Sequence, residues 1–416
     1  MCIFRFLVSA RHSILVLSIA LAALASSSLQ AQTLTVLHTF TGAADGASPA
    51  AGLIVDRGGN FYGTAAAGAF GYGTAFKLTR KNSSWIFSTL HQFAAGTDGA
   101  YPSAPLYILP SGALLGTTAE GGGSGNCYYD GCGTIFQLQP PPTACGSVQC
   151  PWGETIIYRF PGNVDGAFPS APFIVDSSGI LYGEALGGTN GQGIVYTLQS
   201  TGRSWVTNTL YDFTGGNDGS SPQGGLARDS DGNLYGVTNS GGGYSEGTVF
   251  KLSLSGSSWV ETTLHAFVNG YSNAGLIFDT AGNLYGDAEY GGCCLSGLVF
   301  ELTPSGGGWA YSELHDFSGG YQGPGSTLVM DLQGNLYGTT LSIGAHNRGN
   351  IFKLSPSNGS WIYTDLYDFT GETDGGEPIG QLGLDSEGNI YGVASEGGQV
   401  SACDNLGCGV IYEFTP

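Results

Sequence analysis

The sequence predicts an all-β fold, a single seven-bladed β-propeller with four antiparallel strands in each blade. Three observations lead to this prediction. The motif Asp-x-x-Gly-Asn-Leu-Tyr-Gly occurs seven times in slightly altered form, its copies recur at similar intervals, and the two ends of the chain hold complementary fragments of one repeat unit. Repeats of about 50 residues with glycine and aromatic punctuation are typical of propellers and solenoids.

The motif predicts a hairpin between the first two strands of each unit. Its central residues are Asp, Ser, Gly and Asn, which tolerate turn and left-handed backbone conformations. The final glycines are 53, 67, 53, 50, 52 and 54 residues apart. The copies are Asp56–Gly63, Leu109–Gly116, Asp176–Gly183, Asp229–Gly236, Asp279–Gly286, Asp331–Gly338 and Asp385–Gly392. One copy, Asp229–Gly236, resembles the start of a calcium loop, but it lacks the distal acidic ligand of an EF-hand. The motif is therefore interpreted as scaffold.

The third and fourth strands recur in step with the motif. The third strand, as in Gly247–Leu252, alternates polar and apolar residues as a half-buried strand does. The fourth strand closes with Leu-His/Tyr-x-Phe, as in Leu90–Phe93. A tryptophan opens it in six units: Trp85, Trp152, Trp205, Trp259, Trp309 and Trp361. Four strands joined by short turns predict one antiparallel blade per unit.

The chain ends distinguish a closed ring from an open array. The last unit stops after its third strand, Val410–Phe414, and the chain begins with a fourth strand, residues 34–40. Pairing the two fragments removes two exposed sheet edges, which would otherwise invite aggregation. An open solenoid would need polar capping repeats, and the sequence shows none. We therefore expect residues 32–416 to form the propeller, with the N-terminal strand completing the last blade.

The first 31 residues have the pattern of a secretory signal peptide. Arg5 and Arg11 precede an apolar run from Ile14 to Ala25, and small residues follow. Cleavage after Ala25 or Ala31 is possible, and Ala31 is preferred. The apolar run is shorter than the roughly 20 residues of a transmembrane helix, and no second run follows. We expect an exported monomer, extracellular or periplasmic, without a transmembrane segment or a C-terminal anchor.

Charge excludes one class of partner. Without the signal peptide, the chain keeps 10 of its 12 basic residues and all 32 acidic residues, which gives a formal charge of −22. Binding of nucleic acid needs a basic surface, so no nucleic acid partner is expected.

Eight cysteines of the mature chain fall into four close pairs. An even number in an exported chain predicts disulfides, and a zinc site is the weaker alternative because no matching histidine set accompanies them. The pairs are Cys127 with Cys132, Cys145 with Cys150, Cys293 with Cys294, and Cys403 with Cys408. Cys145 and Cys150 lie in a proline-rich insertion at 139–150. Adjacent cysteines such as Cys293 and Cys294 bridge only in a strained ring, so free thiols or separate partners remain open alternatives.

These repeats resemble the GloVer tandem-repeat family. The resemblance lies in Gly247–Leu252, the Leu-His-Ala-Phe of Leu264–Phe267, the Phe213–Pro222 loop and the Asp-x-x-Gly-Asn-Leu-Tyr-Gly motif, and it covers essentially the whole mature chain. It implies an exported bacterial propeller-like protein of unassigned activity. Some members carry a surface anchor, and none is visible here. The family offers no catalytic residues to transfer.

Candidate ligand-binding residues lie in loops expected on one face of the propeller. The loop after the fourth strand carries Asp-Gly-x-x-Pro in five units, with Asp45, Asp98, Asp165, Asp218 and Asp374 as its aspartates. Nearby aromatic residues are Tyr101, Phe168, Tyr271 and Tyr321. The favoured interpretation is repeated turn chemistry. The alternative is a ring of carboxylates and aromatic rings at the channel mouth that binds a sugar or Ca²⁺.

Other acids and the histidines add less. Glu120, Glu289 and Glu396 lie at related places in the loops between second and third strands. Glycoside hydrolysis needs two carboxylates, but the sequence gives no distance between these. His38, His91, His265 and His315 share one strand position that is tyrosine in other units, which indicates packing plus one hydrogen bond. No catalytic residue, metal ligand or cofactor is assigned.

The sequence therefore favours a non-enzymatic binding or interaction propeller, with a glycan or protein ligand on the acidic, loop-rich face. A carbohydrate-active enzyme, either a glycoside hydrolase or a lyase using loop carboxylates, is the second hypothesis. A structural protein of the cell envelope or matrix is the third.

Overall fold

The computed structural model describes residues 32–416 except Ala69, Ser83, 124–126, 128–130, 142–151 and Arg203. In this part of the chain seven antiparallel sheets follow one another, each one blade of a propeller. The predicted signal peptide and the pair Cys145 and Cys150 lie outside the described residues. No helix among the described residues has the length and apolar character that a membrane crossing requires.

The strands of blades 1 to 4 lie between residues 47 and 266. Blades 1 and 4 have a first strand split into two short pieces. The strands are β2 (Ala47–Pro49), β3 (Ile54–Val55), β4 (Phe61–Ala67), β5 (Thr74–Lys81) and β6 (Ser84–Gln92) in blade 1; β7 (Tyr107–Ile108), β8 (Leu114–Thr118), β9 (Thr134–Gln139) and β10 (Gly153–Arg159) in blade 2; β11 (Ile174–Val175), β12 (Leu181–Ala185), β13 (Ile194–Ser200) and β14 (Trp205–Asp212) in blade 3; and β15 (Ser220–Pro222), β16 (Ala227–Arg228), β17 (Leu234–Ser240), β18 (Thr248–Ser255) and β19 (Ser258–Ala266) in blade 4.

Blades 5 to 7 complete the ring. A single short 3-10 helix, Cys403–Asn405, is found in the described chain. The strands are β20 (Ile277–Phe278), β21 (Leu284–Ala288), β22 (Leu298–Ser305) and β23 (Gly308–Asp316) in blade 5; β24 (Val329–Met330), β25 (Leu336–Thr340), β26 (Asn350–Ser357) and β27 (Ser360–Asp368) in blade 6; and β28 (Gly376–Leu384), β29 (Ile390–Glu396) and β30 (Val410–Thr415) in blade 7, whose fourth strand is β1 (Thr33–Thr39).

The predicted closure of the ring is confirmed. β1 pairs antiparallel with β30 from Thr33 opposite Thr415 to Thr39 opposite Val410. The register shifts between Val36 and His38, and the same shift occurs in the complete fourth strands. A β-bulge re-aims the side chain that follows it. Here it sets the direction of the recurring histidine or tyrosine.

The recurring motif is a self-contained clamp. In blade 4 one carboxylate oxygen of Asp229 accepts from the backbone N–H groups of Asp231 (3.0 Å) and Asn233 (2.9 Å). Its other oxygen accepts from the Asn233 amide (2.7 Å) and from the Tyr235 hydroxyl (3.0 Å). Glycine ends the motif because an added Cβ on Gly236 would come within 2.5 Å of the Phe250 ring. The motif therefore builds the blade, as predicted.

Apolar side chains of neighbouring blades form the core between the sheets. In one cluster Tyr235, Val237 and Val249 of blade 4 pack with Leu276 and Phe300 of blade 5. Alternate residues of each second strand thus face the following blade, since side chains alternate along a strand.

Candidate functional site on the loop-rich face

The loops after the fourth strand and those between the second and third strands meet on one face. In blade 2 Ala100, from the first kind of loop, pairs with Glu120 from the second kind. Blade 3 repeats the pairing with Ala167 and Leu186. The residues singled out in the sequence therefore share this face.

The Asp-Gly aspartates are occupied inside their own loops. Asp218 accepts from the Thr214 N–H (2.8 Å), the Thr214 hydroxyl (2.6 Å) and the Tyr211 hydroxyl (3.1 Å). Asp374 binds Thr370 and Tyr367 in the same way. Asp165 interacts with Tyr158, and together with burial it raises the pKa of that phenol. These carboxylates tie the loop to the end of the fourth strand, the pattern that the turn interpretation expects.

Histidine replaces tyrosine in two of these clamps. His38 contacts Asp45 at 3.2 Å, and His91 contacts Asp98 at 3.1 Å. Burial alone would raise the pKa of Asp45, but the hydrogen bonds from His38 and Thr41 outweigh it and the pKa is lowered. The pKa of Asp98 is lowered in the same way, with His91 as the main opposing cause to burial.

Tyr101 and Phe168 occupy a repeated backbone position. Both have left-handed φ values, 57° and 51°, as do residues at the same place in blades 1, 4 and 7: Ser48, Ser221 and Glu377. The conformation lets the backbone N–H reach the preceding blade, since Tyr101 N–H donates to the Tyr72 carbonyl (2.9 Å) and Phe168 N–H to the Cys132 carbonyl (2.7 Å). Strained backbone often marks function. Here it recurs around the ring and serves blade contact.

Blades 5 and 6 depart from the pattern. The loop in question runs from the phenylalanine after the fourth strand of one blade to the leucine before the first strand of the next. This loop is four residues shorter in blade 5 and two residues shorter in blade 6 than in blade 4, and both loops lack the aspartate. A different set of side chains gathers there, which we call the blade 5 patch: Tyr271, Asn273, Glu289, Tyr290 and Gln322.

Glu289 is the centre of the blade 5 patch. It is buried, with 7% of its surface exposed. The Asn273 amide donates to Glu289 Oε2 (3.1 Å) and the Gln322 amide donates to Oε1 (3.0 Å). Asn273 in turn accepts from the Asn239 amide of blade 4 (2.8 Å). The carboxylate is thus held by two amides, and burial raises its pKa.

A pair of tyrosine rings adjoins this carboxylate through Tyr271. Tyr271 and Tyr290 lie with ring centroids 4.9 Å apart, both half-buried. Burial, with the nearby charge of Glu289, raises the pKa of Tyr271 to about 12. Tyr321, next to Gln322, is 89% exposed on the same side. The patch combines apolar ring surface with fixed hydrogen-bonding groups.

A second strand position holds two buried acids that sequence reasoning missed. Glu184 in β12 and Asp287 in β21 face the following blade and are 1% and 0% exposed. Glu184 Oε2 accepts from Gly225 N–H (2.8 Å), and burial raises its pKa to about 8. Neither oxygen of Asp287 has a hydrogen-bond partner among the described residues, and burial followed by the charge of Glu289 raises its pKa well above the usual value. The sequence does mark these two acids as exceptions, because the same position is threonine or valine in the other five blades: Thr64, Thr117, Val237, Thr339 and Val393.

The other two predicted glutamates do not join Glu289. Glu396 of blade 7 forms an ion pair with Arg348 (2.7 Å). Glu120 of blade 2 is half-buried, and burial raises its pKa. The three acids lie in blades 2, 5 and 7, no two of which are neighbours. Glu289 also occupies a repeat position one residue earlier than that of Glu120. Its backbone N–H donates to the Tyr271 carbonyl, as the N–H of Ala119, the residue before Glu120, donates to the Tyr101 carbonyl.

Two of the predicted cysteine pairs are disulfides. Cys127 bonds to Cys132, and Cys403 bonds to Cys408. The structure differs from the prediction at Cys293 and Cys294, which are exposed free thiols with their sulfurs 3.3 Å apart. Adjacent residues bridge only through a strained ring, and here the two side chains touch without bonding.

Replacing Cys127 and Cys132 by serine is expected to lower the free energy of unfolding by about 2 kcal/mol, because the bond closes a short loop in the unfolded chain. Urea denaturation of a protein comprising residues 32–416 measures the change. The control replaces the unbonded pair Cys293 and Cys294 by serine and should shift stability by less than about 0.5 kcal/mol. Equal losses in the two variants would contradict a structural role for the bond.

The opposite face holds a groove of about 950 Å³ between the hairpins of blades 6 and 7. Its lining includes Asp331 and Asp385, whose carboxylates are already bonded within their own turns. The blade 5 patch is therefore the better candidate site.

Comparison with known proteins identifies the repeat. A model of the Gloeobacter/Verrucomicrobia repeat matches residues 23–149 and 129–327. No curated protein matches the chain. Among solved structures, a polysaccharide lyase of a new family, an ulvan lyase bound to -[GlcA(1-4)Rha3S]-, has a TM-score of 0.54 at 10% identity, covering 87% of this chain and 93% of its own.

Two further structures are similar over most of their length. A protein of unknown function from Dyadobacter fermentans DSM 18053 has a TM-score of 0.46 at 11% identity, with 92% of this chain and 96% of that chain covered. A gluconolactonase from Xanthomonas campestris has a TM-score of 0.42 at 12% identity, with 94% and 92% covered. The likeness to the lyase, at 10% identity, shows the fold alone.

Proposed function

The chain belongs to the Gloeobacter/Verrucomicrobia repeat family, and on this scaffold we propose an exported binding protein whose ligand, an oligosaccharide, lies across the blade 5 patch. The observation that carries the proposal is Glu289, held by Asn273 and Gln322 beside the rings of Tyr271 and Tyr290. This arrangement lies in blade 5, where the loop departs from the repeated Asp-Gly-x-x-Pro pattern.

The chemistry of the patch suits a sugar. A sugar ring offers an apolar C–H face that packs on an aromatic ring, and hydroxyl groups that both donate and accept hydrogen bonds. Tyrosine supplies ring surface with a polar tip. Fixed amides and a carboxylate supply donors and acceptors with a set orientation, which is how small-ligand sites obtain specificity. The two rings are half-buried, so part of their surface is open to solvent.

The environment of the acidic residues near the patch favours ligand binding over hydrolysis of a glycoside. A glycoside hydrolase needs two carboxyl groups at the substrate, roughly 5–10 Å apart. Of the acids near the patch, Glu289 already accepts two hydrogen bonds and Asp287 is 0% exposed. Asp287 is therefore shielded from a ligand on this face. The two disulfides support export, since such bonds persist in oxidising compartments.

A glycan array with a parallel assay for released sugar tests the proposal. The mature protein is expected to retain at least one class of oligosaccharide and to release no product. Tyr271→Ser introduces the residue of blades 1 and 4 at the same loop position and should weaken binding about tenfold, through loss of ring contact. Tyr101→Ser makes the matched change in blade 2 and should leave binding unchanged. Sugar release, an empty array, or equal effects of the two variants would overturn the proposal.

A further inference from the structure

The fourth strands of neighbouring blades form a ladder of side-chain contacts around the ring. The histidine or tyrosine of one blade faces a residue of the next blade. His38 stacks on Phe87 with ring centroids 3.8 Å apart, and His265 stacks on Tyr311 at 3.8 Å. Where this position is a histidine, His38, His265 and His315 thus each stack on an aromatic ring of the next blade.

The junction of blades 1 and 2 departs from that pattern. Glu154 of β10 replaces the stacking ring opposite His91 of β6. His91 Nε2 lies 3.1 Å from Asp98 Oδ1 and 4.0 Å from Glu154 Oε1. One donor atom from each of the three residues lies within 4.8 Å of the others. Among the described residues no other group of three histidine, cysteine or acidic side chains meets in this way.

Asp98 and Glu154 share a hydrogen bond, but the contacts of the cluster leave one buried carboxyl oxygen without a partner. Glu154 Oε1 is buried and has no hydrogen-bond partner among the described residues. The side chains of Asp98 and Glu154 are 20% and 16% exposed, so two carboxylates meet in a poorly hydrated place. Like charges so close disfavour each other's ionisation. No described lysine or arginine forms an ion pair with either, and Arg159 donates instead to the Thr97 carbonyl (3.2 Å).

We propose that His91, Asp98 and Glu154 bind a divalent transition metal ion, with Zn²⁺ as the first choice, and that the ion links blade 1 to blade 2. Zinc accepts imidazole nitrogen and carboxylate oxygen at about 2.0–2.2 Å and often takes three protein ligands with a fourth position open. Ligand atoms of a tetrahedral zinc lie about 3.3 Å apart. The distances from His91 Nε2, 3.1 Å to Asp98 Oδ1 and 4.0 Å to Glu154 Oε1, are close to that spacing. The imidazole favours zinc over calcium, which takes oxygen ligands.

The repeat supplies matched variants for a test. His91→Tyr introduces the residue that blades 2, 3 and 6 carry, so the contact with Asp98 is kept while the nitrogen ligand is lost. Glu154→Thr introduces the threonine of blade 3, Thr207. The control is Glu261→Thr in blade 4, where the equivalent junction pairs Glu261 with Tyr211 and Asp218 and has no imidazole.

The experiment is a calorimetric titration of chelator-treated mature protein with ZnCl₂, with cobalt absorption spectra as a second readout. All proteins carry Cys293→Ser and Cys294→Ser, which removes the exposed thiols as competing ligands. We expect one equivalent bound with micromolar or lower Kd, a rise in Tm with zinc, and visible cobalt bands. His91→Tyr and Glu154→Thr should weaken binding at least 100-fold, and Glu261→Thr should bind like the parent. Absence of stoichiometric binding, or His91→Tyr binding within threefold of the parent, would overturn the proposal.

Discussion

A chain shortened to begin at Thr41 is expected to lose its cooperative fold and to aggregate. The deletion removes β1, the fourth strand of blade 7, and Phe40, which is 0% exposed and lies 5.4 Å from the Phe76 ring of blade 1. Loss of one buried phenylalanine side chain costs about 3–5 kcal/mol. The unpaired edge of β30 is also a template for pairing with other chains. Together these losses approach the 5–15 kcal/mol of a typical stability.

Size-exclusion chromatography and urea denaturation measure this effect. The control is a permuted chain in which residues 41–415 are followed by Asn-Gly and residues 33–40. Thr33 lies opposite Thr415, so a two-residue turn of this type joins the strands as an ordinary hairpin. The permuted chain should unfold within a few degrees of the mature protein. If the shortened chain is as stable as the mature one, the closed ring is not what holds the blades together.

Glu184→Gln is expected to stabilise the protein at high pH and to flatten its pH dependence. Burial raises the pKa of Glu184 to about 8 from its usual 4.5. The folded state therefore holds this proton where the unfolded state has released it. The contribution is fully present below about pH 4.5, declines as pH rises, and is lost by pH 8. A shift of this size corresponds to about 5 kcal/mol.

Glutamine keeps the acceptor for Gly225 N–H and carries no charge at any pH. Unfolding free energies at pH 5 and pH 8 should therefore diverge less for the variant than for the parent, and the variant should be several kcal/mol more stable at pH 8. The control is Glu387→Gln on the exposed turn of blade 7, which should track the parent. Parallel pH curves for Glu184→Gln and the parent would show that Glu184 ionises freely in the folded state.

The sequence contained most of the fold because each blade repeats the same local physics. The motif glycine lies under the third-strand ring in each blade, as Gly116 lies under Phe136. The aspartate clamp of Asp229 needs only residues of its own turn. The complementary strands at the two ends of the chain then predicted the closure. The split first strands of blades 1 and 4 were not predicted, and in each blade both pieces pair with the same second strand.

The site was less accessible from sequence because its contacts join different repeats. Glu289 meets Gln322 across 33 positions, and His91 meets Glu154 across 63. Position within the repeat gave the face of the propeller, which identified Tyr271 and Glu289. It did not give the direction in which each side chain points, because a shift of one residue along a strand turns the side chain to the opposite side. Glu120 and Glu289 therefore seemed equivalent and are not.

The proposed ligand site is the blade 5 patch. The most direct test of this site is a calorimetric titration of three proteins with one oligosaccharide that the glycan array has selected. The mature protein should bind one equivalent, Tyr101→Ser should match it, and Tyr271→Ser should bind about tenfold more weakly. Loss of binding in Tyr101→Ser with Tyr271→Ser unchanged would place the ligand on another blade. Undiminished binding by Tyr271→Ser contradicts a site on this patch.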